Sequence, residues 1–195
     1  MGNESEIILN HFAGRKGTIC DIGAGDGTSG SISAPLIELG WEALLVEASY
    51  QSMPLLATKY GKNPSVRIVN ARVDADESMG FLNICTDPAL TTGSQRLVDR
   101  ARGREVSASI IMKSVTIDYL WIELTPFDAL SIDIEDLTLQ ALFGMRHAKP
   151  LVICAEYFAY EVFGEDEPKR ILEILGPRGY RELARTQENM ILVRE

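Results

Sequence analysis

Thr18-Ile19-Cys20-Asp21-Ile22-Gly23-Ala24-Gly25-Asp26-Gly27-Thr28 is the stretch that decides the fold. Its first five residues have the apolar, β-favouring pattern of a strand, and the strand runs straight into glycines at alternate positions. Glycine lacks a Cβ and adopts positive φ without strain, so such a turn lets backbone pass close to a ligand. A second strand pattern, Ala43-Leu44-Leu45-Val46, ends at Glu47, 20 residues after Gly27. In a parallel α/β sheet a carboxylate in that place can hold both hydroxyls of a ribose. The glycine turn and the acidic residue together point to a nucleoside-containing cofactor.

Two cofactors fit this pattern, S-adenosylmethionine and a nicotinamide dinucleotide. The dinucleotide fingerprint G-x-G-x-x-G opens directly off its strand. Counted from Gly23 it meets Thr28 where the third glycine belongs, and the literal match at Gly25, Gly27 and Gly30 starts three residues past the strand. The pattern Asp-x-Gly-x-Gly-x-Gly fits from Asp21 to Gly27 in register with the strand. It resembles the first motif of class I methyltransferases and favours S-adenosylmethionine, which has no diphosphate to cradle.

Outward from this stretch, strand and helix patterns alternate. A helix is expected at 4–12, a strand at 18–22, and a helix at about 31–39 with Ser33 as cap and Gly40 as stop. Strands follow at 43–47, 66–69, 129–134 and 151–155, with helices at 51–60, at a stretch carrying Leu137, Ala141, Leu142 and Met145 on one face, and at about 167–175. Residues 74–104 read as irregular, and 106–117 as β-rich. Two last strand patterns, 180–185 and 189–194, are spaced as a hairpin. The expected fold is α/β: one domain over 1–195, with a doubly wound, mostly parallel seven-stranded sheet and a C-terminal antiparallel hairpin.

The chain has 195 residues, 46% hydrophobic and 24% charged, the balance of a globular domain. No apolar run reaches the ~18 residues of a membrane span. The first residues, Met1 to Glu6, have no signal-peptide character, and a cytoplasmic location is expected. Cys20, Cys85 and Cys154 lie in apolar runs without metal-ligand spacing and read as buried thiols. The net charge of −9 argues against a nucleic-acid substrate.

The chain resembles the FkbM-type methyltransferases over about residues 18–160. Asp26-Gly27-Thr28-Ser29 and Gly40-Trp41-Glu42-Ala43-Leu44-Leu45-Val46-Glu47-Ala48 carry the likeness to the first two motifs, and Val69-Asn70-Ala71 that to the third. Val115-Thr116-Ile117-Asp118, Leu130-Ser131-Ile132-Asp133-Ile134-Glu135 and Pro150-Leu151-Val152-Ile153 with Glu156 carry the rest. Where the family usually has Gly after the last Glu of strand four, this chain has Asp136. The resemblance implies methyl transfer from S-adenosylmethionine, mostly to oxygen on sugars or natural products.

The candidate cofactor-binding residues are Asp21, Gly23, Ala24, Gly25, Gly27, Thr28, Glu47, Ala48, Asn70, Ala71 and Asp133. Asp21 would contact the ammonium of the methionine moiety or steady the glycine turn, and Asn70 and Ala71 would flank adenine. Asp133 and Glu135, one residue apart at the end of strand four, should point to the same face and could take a proton from a substrate hydroxyl. Glu156, past strand five, is the third candidate base. Asp133, Glu135 and Asp136 could also hold Mg²⁺, though no metal site is assigned. His11 and His147 read as surface and structural residues. The stretch 86–104, with Arg96, Arg100, Arg102 and Arg104, is expected to be a lid that attracts an anionic acceptor. The expected function is O-methylation of a small-molecule or sugar acceptor. A nicotinamide-dependent oxidoreductase and a non-catalytic cofactor-binding module are the alternatives.

Overall fold

The computed structural model describes residues 3–100, 105–157 and 166–195, except the side chains of Ala89, Arg96, Arg100 and Asp136. The chain opens with α1 (Glu4–His11), β1 (Thr18–Ile22), α2 (Ser33–Glu38), β2 (Glu42–Glu47), α3 (Met53–Tyr60) and β3 (Val66–Asn70). Then come β4 (Arg72–Val73), β5 (Met79–Cys85), α4 (Gln95–Arg100), β6 (Val106–Val115) and a helical turn, α5 (Ile117–Tyr119), that continues as a π-turn over Leu120–Leu124. β7 (Ala129–Ile132), α6 (Thr138–Gly144), β8 (Val152–Glu156), α7 (Glu167–Leu175), β9 (Tyr180–Arg185) and β10 (Asn189–Arg194) complete it.

Seven strands form one sheet in the order β3-β2-β1-β7-β8-β10-β9. The first five are parallel, and β10 runs antiparallel to both β8 and β9. The order reverses between β1 and β7, both of which start from the sheet's centre, so a crevice opens at their carboxyl ends. Alternation along the strands loads both faces. Cys20, Ile22, Leu44, Val46, Leu130 and Ile132 pack on one side with α6 and α7 residues such as Leu142 and Ile171. Ile19, Ala43, Leu45, Ala129 and Cys154 pack on the other with Ile8, Leu36 and Leu56. Cys20, Cys85 and Cys154 are all buried. Burial pushes the Cys20 and Cys154 thiols well above their ordinary range.

The structure corrects the sequence reading in three places. Residues 74–104 are not simply irregular: β5 pairs antiparallel with β6, and β4 pairs parallel with β6, giving a second, three-stranded sheet. Strand four stops at Ile132 rather than 134, because Glu135 takes φ +63 and starts a 3₁₀ turn over Glu135–Leu137. The alternation argument for Asp133 and Glu135 therefore does not apply, although both reach the same cavity. At α2, Ser33 is the first helical residue rather than the cap: its Oγ donates to Asp21 at 2.5 Å, and the Oγ of Ser31, ahead of the helix, accepts the Ala34 N–H at 3.1 Å.

Candidate active site

A cavity of about 380 Å³ lies beyond the carboxyl ends of β1, β2 and β7 and is walled on its far side by the small sheet. Its floor is the glycine turn. Gly23, Gly25 and Gly27 all have positive φ, at 88°, 57° and 72°. Gly23 and Ala24 donate their N–H groups to the Val46 carbonyl, which locks the turn onto β2. A side chain at Gly23 would overlap the Asp133 carbonyl, and one at Gly27 would stand 2.7 Å from Leu56 and Tyr60. The glycines are thus needed for packing at 23 and 27. At Gly25 no atom of the described residues lies within 4 Å of the place a Cβ would take.

Glu47 ends β2 and is 8% exposed. Its carboxylate accepts the Gly25 N–H at 2.7 Å and the Ser49 N–H at 2.6 Å. Burial raises its pKa, and the two backbone donors work against that. Each carboxylate oxygen keeps a second lone pair, so ribose hydroxyls can still donate to it. Asn70 Nδ2 donates to the Glu47 and Ala48 carbonyls, fixing the end of β2 from β3. Asp26 accepts the N–H groups of Thr28 and Ser29 at 2.7 and 2.9 Å, and these bonds hold its carboxyl below the usual range.

Of the sequence candidates, Gly23, Gly25, Glu47, Ala48, Ala71, Asp133 and Glu135 line the cavity. Asp21, Ala24, Gly27, Thr28 and Asn70 support it from behind or beside it. Asp21 is buried and spends a carboxylate oxygen on Ser33; burial raises its pKa more than the Ser33 and Ser131 hydroxyls lower it. Glu156 ends β8 next to Asp133. Its Oε2 is buried without a hydrogen-bond partner among the described residues, and burial, then the negative charge of Asp133, push its carboxyl well above the ordinary range. The Asp136 side chain lies outside the described residues. Among the described residues no group of three or more His, Cys, Asp or Glu is arranged to hold a metal ion.

Sequence reasoning missed the opposite wall. Arg72, Val73, Leu82, Asp87, Thr92 and Gly93 face the cavity from the small sheet and the segment after it. The lid expected over 86–104 meets the cavity through residues 87–93; Arg102 and Arg104, and the side chains of Arg96 and Arg100, lie outside the described residues. His147 is exposed before β8, and its N–H is held by Asp118.

The methyltransferase FkbM domain matches residues 21–182. The chain belongs to the FkbM methyltransferase family. As a member it is an S-adenosylmethionine-dependent methyltransferase. Solved structures share the fold at low identity. An FkbM methyltransferase from Methylobacillus flagellatus superposes with a TM-score of 0.57 at 16% identity, covering 97% of this chain and 47% of that one. The putative methyltransferase YhhF from Escherichia coli gives 0.55 at 14%, covering 100% and 87%. The ribosomal protein L11 methylase of Lactobacillus delbrueckii subsp. bulgaricus gives 0.53 at 13%, covering 98% and 78%. None of the curated proteins matches.

The cavity of this FkbM methyltransferase fits the cofactor that the family implies. Open space at Gly25, two carboxylate oxygens at Glu47 and a surround of Asp26, Asp133 and Glu135 suit a nucleoside bearing a cationic end. The same features disfavour a diphosphate. α2 begins at Ser33, past Gly30, whereas in a dinucleotide site the helix opens within the glycine turn itself. Among the described residues no helix is long and apolar enough to cross a membrane.

Proposed function

We propose that the enzyme methylates a hydroxyl oxygen of a small-molecule or sugar acceptor. The observation that carries this reading is the cluster of carboxyl groups Asp133, Glu135 and Glu156 at the ends of β7 and β8, beside the cavity that Glu47 and Gly25 bound. Bound S-adenosylmethionine supplies an electrophilic methyl group on a sulfonium. Glu47 and the glycine turn hold the nucleoside, and Ala48 and Ala71 give it an apolar flank.

The hydroxyl proton of the acceptor needs a base. Glu156 is biased towards the neutral acid by its burial and by Asp133, so Asp133 and Glu135 are the groups that accept the proton. A positioned carboxylate contributes roughly 10²–10⁴ in rate. Alignment of acceptor and donor supplies up to ~7–11 kcal/mol more. The small-sheet wall and residues 87–93 form the acceptor side of the cavity.

The test is a transfer assay with methyl-labelled S-adenosylmethionine and a panel of sugars, sugar acids and sugar phosphates, products being analysed by mass spectrometry. A labelled methyl ether, formed more slowly by Asp133→Asn or by Glu135→Gln, supports the reading. Label recovered on nitrogen or carbon overturns the O-methylation assignment.

A further inference from the structure

Resting on the methyltransferase reading of this cavity, we propose that Arg72 recognises an oxyanion, a carboxylate or a phosphate, carried by the methyl acceptor. Arg72 opens β4 directly after Ala71, is 6% exposed and lines the cavity. Among the described residues its contacts run through one nitrogen. Nη1 donates to Ser114 Oγ, its neighbour across the β4–β6 pairing, and pairs with Asp74 at 2.7 Å. Nε is buried and has no hydrogen-bond partner among the described residues.

A buried donor without an acceptor is unfavourable, and its persistence at a cavity wall points to a partner that arrives with the ligand. Two glycines let the chain pack closely on the guanidinium. A Cβ at Gly93, which also faces the cavity, would collide with Leu137 Cδ1 and stand 3.0 Å from Nε and 3.4 Å from Nη2. A Cβ at Gly80 would collide with Nη1 and stand 2.9 Å from Nε.

The Nε–Nη2 edge of a guanidinium is a planar fork that matches two oxygens of a carboxylate or phosphate. Arg72 is the only basic residue among the described cavity-lining residues, which otherwise include Asp26, Glu47, Asp87, Asp133 and Glu135. Asp74 is paired with Nη1, so it fixes the guanidinium and leaves the Nε–Nη2 edge to the ligand.

The test is calorimetric titration of the full chain, saturated with S-adenosylhomocysteine, with four probes: inorganic phosphate, acetate, glucose 6-phosphate and glucuronate. The phosphate and carboxylate arms distinguish the two oxyanions. At least one class should bind, and Arg72→Gln should weaken it roughly 10- to 100-fold, as expected for losing charge-assisted bonds, with S-adenosylhomocysteine affinity unchanged. Because Arg72→Gln also strips Asp74 of its partner, Gly93→Ala is the second variant. It keeps the ion pair, sets one methyl group against Nε and Leu137, and should weaken the same probe by about tenfold or more while S-adenosylhomocysteine affinity stays unchanged. The proposal is overturned if no probe binds the wild-type chain, if Gly93→Ala binds the probe as the wild type does, or if the variants weaken S-adenosylhomocysteine instead. Absence of heat with S-adenosylhomocysteine itself would count against the methyltransferase reading; the probes titrated into the unliganded chain still test Arg72.

Discussion

The Glu47 carboxylate accepts the Gly25 N–H at 2.7 Å, which ties the end of β2 to the turn after β1. The same side chain accepts the Ser49 N–H, so one residue organises both loops that floor the cavity. Glu47→Ala leaves two backbone donors unserved. Hydrogen bonds to charged groups are worth roughly 1.5–3 kcal/mol, but burial already penalises this carboxylate, so the expected net loss is about 1–2 kcal/mol. Urea unfolding of the unliganded protein measures it.

Asp133→Asn and Glu135→Gln keep the shape of the cavity and remove charge. At least one of them should lower turnover by roughly 10²-fold or more while S-adenosylhomocysteine affinity changes only a few-fold. Steady-state kinetics beside calorimetry separates the two effects. Wild-type rates in both variants would remove these residues from proton transfer.

Glu156 gives a pH signature. Its folded pKa is raised, so the folded state binds the proton more readily than the unfolded chain does. The associated stability is full below the ordinary value of 4.5 and is lost as pH rises through the folded pKa. Glu156→Gln removes this dependence. Its melting temperature relative to wild type should therefore rise from pH 4.5 upwards and level off above the folded pKa, as thermal melts across that range would show.

Asp118 lies in the segment that resembles the family's strand before the active-site strand, yet its role here is structural. Its carboxylate accepts the N–H groups of Arg146, His147 and Ala148 at 2.9, 2.9 and 2.8 Å, clamping the loop that leads into β8. Asp118→Ala should cost about 2 kcal/mol of stability, discounted for the clamp's partial exposure, and leave cofactor affinity intact. Chemical denaturation together with a titration of S-adenosylhomocysteine checks both halves.

Much of the fold was legible because its strands and helices announce themselves locally. β1, α7, β9 and β10 have the bounds that periodicity and the Gly176-Pro177 stop predict. Glu47 was legible for the same reason, since a strand of known direction puts its last residue at the ligand end. Strand four ran two residues too far because Ile134 continues the apolar alternation, and nothing local says that Glu135 adopts a left-handed backbone. The small sheet was hidden because Gly80 and Asn83 weaken the β signal of Met79–Cys85, while its pairing with β6 is set by long-range contact. Arg72 went unseen for that reason: its place at the cavity depends on Ser114, 42 positions away.

The central claim is that this cavity binds S-adenosylmethionine through Glu47, and calorimetric titration with S-adenosylhomocysteine and with NAD tests it most directly. The account predicts that S-adenosylhomocysteine binds, that Glu47→Ala weakens it roughly 10- to 100-fold, and that NAD gives no heat. Binding of NAD without S-adenosylhomocysteine, or an affinity unmoved by Glu47→Ala, would contradict it.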